Sequence, residues 1–426
     1  MDQFIIQGGK PLKGTINISG AKNAILPAIA TSILASDGIT VIKNVPNLSD
    51  IRVMLQLLNS LGIKTGFDVN KKTITIDAQK VSSTTAPYDI VKKIRASFLV
   101  LGPLLARFKN AHVSLPGGCA IGVRGVDMHL NALKKLGAEI SDGDGYISAK
   151  TKKLKGNEFY FNIPTHTGTE NIMMAACMAD GVTTLVNAAR EPEVTAIADM
   201  LNSMGAKISG AGTSVIKIEG VKKLHGTEWT APPSRIETCF FIASAAITRG
   251  EILIKNANTK NIGIVQNKMS QIGINIQIID SSTIRVKCKY RVNSVDFTTW
   301  PYPGFMTDFQ AQMMALLSTA KGTSIIKETV FENRFMHVSE LNRMNADIHA
   351  TYDQAIVVGV NKLVGANVMA SDLQGGASLV LAGLVAEGKT TIDRVYHIDR
   401  GYESMEKKLK KLGANIKRFN PVKNQN

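Results

Sequence analysis

Apolar and polar positions alternate along this chain with two periods in turn, and one short phrase recurs six times: the end of an amphipathic helix, a glycine, then a short β-run. The copies are LNSLGIK (58–64), LKKLGAEI (133–140), LNSMGAKI (201–208), MSQIGINI (269–276), LNRMNADI (341–348) and LKKLGANI (409–416). Apolar residues at helical spacing followed by glycine predict a helix that stops at a left-handed C-cap. The markers Gly62, Gly137, Gly205, Gly273, Asn345 and Gly413 are separated by 75, 68, 68, 72 and 68 residues. Asparagine is the next most tolerant of φ > 0 after glycine, so Asn345 predicts that this conformation is required.

A second signal runs in step with the first. Upstream of five markers a glycine opens an alternating, β-branched strand that ends in a polar loop: GITVIKNVPN (38–47), GVTTLVNAAREPE (181–193), GEILIKNAN (250–258), GTSIIKETVFENR (322–334) and GKTTIDRVYHIDR (388–400). The second module has AHVSLPGG (111–118) instead. Strand, loop, helix, glycine, strand, repeated six times, predicts an α/β protein of six related modules. A chain of 426 residues is long for one core, which favours two domains of three modules. The expected boundary is Thr230–Ser234, where Pro232 and Pro233 interrupt regular structure. An opening strand within IIQGGKPLKGTINI (5–18) is expected to belong to the second domain.

Composition narrows the function classes. The opening MDQFIIQGGK has no signal-peptide pattern, and the apolar stretch near Ala24–Ala35 is too short and interrupted to span a bilayer. The four cysteines are scattered without a CxxC pair or a His/Cys cluster, so neither a disulfide framework nor a metal site is expected, and a reducing cytoplasm is the expected compartment. The net charge of +16 rests largely on lysines of exposed helix faces such as Lys134, Lys135, Lys410 and Lys411. Aromatic residues do not interleave with them as single-strand nucleic-acid binding requires.

Arginines in the loops after the repeated strands are more informative. Arg124, Arg334 and Arg400 occupy comparable places, and equivalent loops of related modules gather at one end, which predicts convergence on an anion. Guanidinium groups match carboxylate and phosphate oxygens with parallel hydrogen bonds. The odd module carries SLPGGCAIGVRGVDMHL (114–130), which sets Cys119 in a glycine-dense loop a few residues from Arg124. A neighbouring cation lowers a thiol pKa and fits it for general acid or nucleophilic work. Cys177 and Cys239 lie in apolar helical runs and read as inert core.

Through ISGAKNAILP (18–27), APYDIVKKIRASFLVLGPLLARF (86–108), SLPGGCAIGVRGVDMH (114–129), NAAREPEV (187–194), MTDFQAQ (306–312), ETVFENRFMH (328–337) and YHIDRGYE (396–403), the chain resembles the enolpyruvyl transferases, and among them the UDP-N-acetylglucosamine 1-carboxyvinyltransferases. The resemblance covers essentially the whole length. It implies a two-domain inside-out α/β barrel, each domain three βαβαββ units in pseudo-threefold symmetry, with a first domain at 22–231 and a second formed by 1–21 and 232–426. It implies transfer of the enolpyruvyl group of phosphoenolpyruvate to the 3′-hydroxyl of UDP-N-acetylglucosamine, the first committed step of peptidoglycan precursor synthesis in the cytoplasm, with no cofactor, metal, nucleic acid or membrane.

Residue by residue, the resemblance implies Asp308 as base and Cys119 as acid. It implies Lys22, Asn23, Arg124, Arg334 and Arg400 at phosphoenolpyruvate. For the nucleotide sugar it implies Asn23, Arg95, Arg124, Gly125, Val126, Asp127, Met128, Thr165, Asp308 and Val330. Two departures from the familiar pattern stand out. PTHTGTEN (164–171) places His166 and Thr167 where small apolar residues are usual, and SDLQGG (371–376) has Gln374 in place of an arginine, a change expected to weaken anion affinity. Enzymes acting on shikimate 3-phosphate share the architecture without the PGGC loop, and RNA 3′-phosphate cyclases need a different histidine setting from that of His397. A non-catalytic repeat scaffold leaves Cys119, Asp308 and the arginines unexplained.

Overall fold

A computed structural model describes residues 2–117, 121–122 and 125–420, so Cys119 and Arg124, both expected in the site, lie outside the described residues. The described chain divides into two compact units: a first of residues 20–117 and 125–232, and a second of residues 2–19, 121–122 and 233–420. Each unit has its own apolar core.

Among the described residues the modules appear as six helices buried almost all round, each accompanied by an amphipathic helix and a four-stranded sheet. The buried helices are Lys22–Thr31, Leu101–Phe108 and His166–Ala176 in the first unit, and Arg235–Ile247, Gln310–Leu317 and Leu373–Gly383 in the second. Their residues are buried on nearly every face, polar ones such as Glu170, Asn171, Gln310 and Gln312 included, and helices buried all round belong inside a core. The companion helices bury a single stripe, as Ser49–Ser60 does with Ile51, Met54, Leu55 and Leu58. Strands such as Gln354–Val358 and Thr323–Lys327 bury alternate residues, so each sheet presents its other face to solvent. Helices inside and sheets outside is therefore written in the periodicity. Each fully buried Leu or Ile contributes roughly 1.5–3 kcal/mol of apolar transfer.

The six four-stranded sheets of the described residues share one plan: a parallel pair at one edge followed by antiparallel neighbours. In each, the outer parallel strand comes from elsewhere in the same unit, as Glu228–Thr230 does beside Thr40–Lys43. The opening segment is not one strand but two. Gln3–Gln7 lies between Lys389–Asp393 and Asn415–Phe419, and Lys13–Asn17 runs parallel to Glu251–Lys255 in another sheet. Gly9 at φ 95° and Pro11 break the run between them.

The repeated phrase forms one device six times. Gly62, Gly137, Gly205, Gly273, Asn345 and Gly413 all have positive φ, from 68° to 100°. At each, the marker N–H donates to the carbonyl three residues back and the next N–H to the one five back, as in Gly62 to Asn59 and Ile63 to Leu58. This is the Schellman closure, and a residue with a Cβ there costs roughly 1–2 kcal/mol.

Candidate active site

In the second unit, two helix starts and one loop bring charged groups together. The turn Thr307–Phe309 leads into Gln310–Leu317 and carries Asp308, one third exposed. Arg334 comes from the loop after Thr323–Lys327 and is 4% exposed. Its Nη2 donates to Asp308 Oδ1 at 2.6 Å, and its Nη1 lies 3.8 Å from Asp372 Oδ1. Its Nη2 also reaches the Thr307 carbonyl at 3.3 Å. Asp372 caps Leu373–Gly383 by accepting from the N–H groups of Gln374 and Gly375 at 2.9 and 3.2 Å. A carboxylate at that position meets the positive end of the helix dipole as well as Arg334.

Two histidines border this cluster. His337 is 1% exposed, and neither of its ring nitrogens meets a hydrogen-bond partner among the described residues. Burial pushes its pKa down to about 4, with Asp372 opposing and Arg334 reinforcing the shift, so the imidazole is neutral. His397 lies on the short turn Val395–Arg400, held below its ordinary value by burial and by Arg400 beside it. Arg400 thus shares the electrostatic neighbourhood of Asp372, which pulls His397 the other way. Val330 is half-buried, its N–H donating to Glu328 Oε1 at 2.9 Å, and the Glu328 carboxylate also accepts from Thr299 and Thr307. The Asn333 N–H donates to the carbonyl of Ile121, the described neighbour of the cysteine loop.

The first unit gathers a different set. Lys22 opens its helix with Nζ 3.2 Å from Asp50 Oδ2, and Asn23 follows, half-buried. Arg95 begins the turn Arg95–Val100, and its Nη2 donates to the Gly125 carbonyl at 3.2 Å, joining two residues named from separate motifs. Val126 precedes Asp127–Lys135, Asp127 is exposed in its first turn, and Met128 packs on the apolar core. Thr165 caps His166–Ala176 by accepting from the Gly168 N–H at 3.3 Å. His166 Nε2 lies 3.1 Å from Glu170 Oε1.

Several residues in these clusters escaped sequence reasoning. Asp50, His337, Gln312 and Tyr402 have no local signal, because what marks them is contact across tens of residues. Gln374 also differs from expectation. Its amide is 4% exposed and bonded to Gln312 and Tyr402, since the first turn of a buried helix turns it into the core and not out to solvent. Among the described residues no group of three or more His, Cys, Asp and Glu side chains is arranged to hold a metal ion. No helix among them is long and apolar enough to cross a membrane.

The profile of the family described as EPSP synthase (3-phosphoshikimate 1-carboxyvinyltransferase) matches residues 6–409. A UDP-N-acetylglucosamine 1-carboxyvinyltransferase from Desulforapulum autotrophicum is 55% identical over 419 residues, 98% of this chain and 100% of that relative. A UDP-N-acetylglucosamine 1-carboxyvinyltransferase 1 from Caldanaerobacter subterraneus subsp. tengcongensis is 51% identical over 416 residues, covering 98% and 99%. Among solved structures, the enolpyruvyl transferase NikO from Streptomyces tendae superposes with a TM-score of 0.89 at 24% identity, covering 98% of each chain. EPSP synthase from Acinetobacter baumannii superposes with a TM-score of 0.76 at 19% identity, covering 99% and 100%. At these identities the superpositions speak for the fold.

Proposed function

We propose, from the premise that this chain belongs to the EPSP synthase family, that it transfers the enolpyruvyl group of phosphoenolpyruvate to the 3′-hydroxyl of UDP-N-acetylglucosamine and releases phosphate. Full-length relatives at 51–55% identity carry the name of that activity. The reaction has three chemical demands: a base for the hydroxyl, an acid for C3 of the enol, and cations for a carboxylate and a phosphate. In this reading Asp308 takes the hydroxyl proton as the oxygen bonds to C2. Cys119 supplies a proton to C3, giving a tetrahedral adduct. Loss of a C3 proton and departure of phosphate then regenerate the enol ether.

The observation that carries the reading is the Arg334–Asp308–Asp372 arrangement. A buried guanidinium fixes the Asp308 carboxylate at 2.6 Å while that carboxylate remains one third exposed, held in orientation yet open to a substrate. Lys22, Asn23, Arg124, Arg334 and Arg400 serve the phosphoenolpyruvate anion. Arg95, Gly125, Val126, Asp127, Met128, Thr165 and Val330, with Asn23, Arg124 and Asp308, line the nucleotide-sugar subsite. The roles of Cys119 and Arg124 rest on their motif alone. In this reading the protein works in the cytoplasm, at the first committed step of peptidoglycan precursor synthesis.

The test is phosphate release that requires both substrates, combined with thiol labelling by the epoxide fosfomycin. Cys177, Cys239 and Cys288 are buried, and burial pushes the Cys239 thiol up to about 12, so these three should stay unmodified. Inactivation with one adduct, on Cys119, is the expected result. Full activity with Cys119 alkylated would remove it from the chemistry, and no phosphate release from the two substrates would overturn the assignment.

A further inference from the structure

Beneath the Arg334 cluster lies a second polar node, absent from the reaction scheme above. The Gln312 amide nitrogen donates to the Gln374 side-chain carbonyl at 2.6 Å and to the Tyr402 hydroxyl at 3.0 Å, and that hydroxyl donates to the same carbonyl at 3.0 Å. The three residues are 0%, 4% and 3% exposed for Gln312, Gln374 and Tyr402. The triangle is closed: both amide hydrogens of Gln312 and the phenolic hydrogen are used, and Gln374 Oε1 accepts twice. Stability alone does not explain it, because Gln312 Oε1 is buried without a partner among the described residues, and a half-satisfied polar cluster is worse for stability than an apolar one.

Placement along the chain supplies the explanation. Gln312 follows Asp308 by one helical turn, Gln374 stands two residues after Asp372, and Tyr402 two after Arg400. Each corner therefore belongs to a segment that carries a charged group of the site. Two glycines let these segments approach: a Cβ on Gly401 would lie 2.6 Å from Leu373 Cδ2, and one on Gly376 2.7 Å from Ile398 Cγ1. The turn Val395–Arg400 is thus seated directly on the start of Leu373–Gly383.

We propose that Gln374 is a positioning residue, the acceptor that locks the segments bearing Asp308, Asp372 and Arg400 into one rigid set around Arg334. The departure from the arginine pattern is then an exchange of roles. An arginine side chain offers only donors and cannot accept from Gln312 and Tyr402, so a glutamine here rigidifies the floor of the site in place of adding a charge to it. The inference rests on the enolpyruvyl transfer reading for its kinetic test and on geometry alone for its structural one.

Three variants separate positioning from bulk stability. Gln374→Leu keeps size and removes the acceptor, and Tyr402→Phe removes only the hydroxyl. Ser378→Ala, one turn further along the same helix, removes a buried hydrogen bond to the Gly375 carbonyl and leaves the triangle intact. Gln374→Leu and Tyr402→Phe should each lower kcat roughly tenfold with a smaller change in KM, and the double variant should be little worse than either, since opening one corner opens the whole. Ser378→Ala should lower the melting temperature and leave kcat unchanged. A crystal structure of Gln374→Leu should show Arg334 and Asp308 moved apart, out of the 2.6 Å hydrogen bond they make in the natural protein. Unchanged kcat in both triangle variants, or kcat falling in step with melting temperature across all three, overturns the proposal, as does an intact Arg334–Asp308 hydrogen bond in the crystal. An inactive wild type would count against the proposed function instead, and the crystal structure would then decide this inference alone.

Discussion

His166 in the first unit and His337 in the second are both drawn into the protein, yet one is charged and the other neutral. Burial pulls the pKa of His166 down, but Glu170, Glu191 and Glu193 together hold it up at about 9, so it is an imidazolium at neutral pH. His337 feels the same burial with one carboxylate near it, Asp372, and the Arg334 cation beside that, and it falls to about 4. The lesson is that the local balance of carboxylate and guanidinium decides a buried histidine's state, and burial only sets the starting point. Where an arginine already supplies the positive charge, the imidazole has no reason to carry one. Where glutamates crowd a helix start, the histidine supplies it. Burial also raises the pKa of Glu170, against the opposing pull of His166.

The comparison breaks most visibly at Asp308. If the second cluster is chemical and the first structural, Asp308→Asn should lower turnover by roughly a hundredfold or more while nucleotide-sugar affinity, from titration calorimetry, changes far less. Near-normal turnover would put the two clusters in the same structural class. A smaller effect is expected at His166. Its raised pKa contributes stability that is fully present below about 6.5 and is lost as pH rises through about 9. Denaturant unfolding of wild type and His166→Gln should therefore converge by about 2 kcal/mol over that window, a value reduced for the quarter of the side chain that is exposed. Parallel curves would mean the imidazole is not charged in the fold. The smallest effect belongs to His337, whose ring signals in histidine-labelled NMR should stay flat from pH 6 to 8 and move only near 4. In Arg334→Met the midpoint should rise, because Arg334 helps to lower it.

Much of the architecture is legible in the sequence because each module repeats the same local physics. The phrase around Gly62 and its copies announces a helix stop, and Asn345 at φ 68° shows that the backbone, not the residue type, is what recurs. Asp308 and Arg334 are legible as loop residues of one module, 26 residues apart, and the fold brings them to 2.6 Å. The Gln312–Gln374–Tyr402 triangle is not legible, since its corners are 28 to 90 residues apart and none follows a local pattern. Pattern alone turns Gln374 toward an anion, because a sequence carries the identity of a side chain and not the direction in which a capped helix points it. The opening segment reads as one strand because its apolar alternation continues across Gly8–Gly9, whereas the backbone breaks there and feeds two sheets.

That opening pair of strands has a consequence for biosynthesis. The first unit closes when Glu228–Thr230 pairs with Thr40–Lys43, so a ribosome that has released residue 232 has released everything this unit needs. The second unit cannot close so early. Gln3–Gln7 is made before the whole of the first unit, yet both of its sheet neighbours, Lys389–Asp393 and Asn415–Phe419, are made long after that unit. At roughly 5–20 residues per second, an apolar strand with two unpaired edges waits about 20–80 s for partners, while the first unit has all it needs to fold. The interval makes that short strand the segment of the nascent chain with most to gain from a chaperone, and the one whose mispairing would be felt long before any substrate is met.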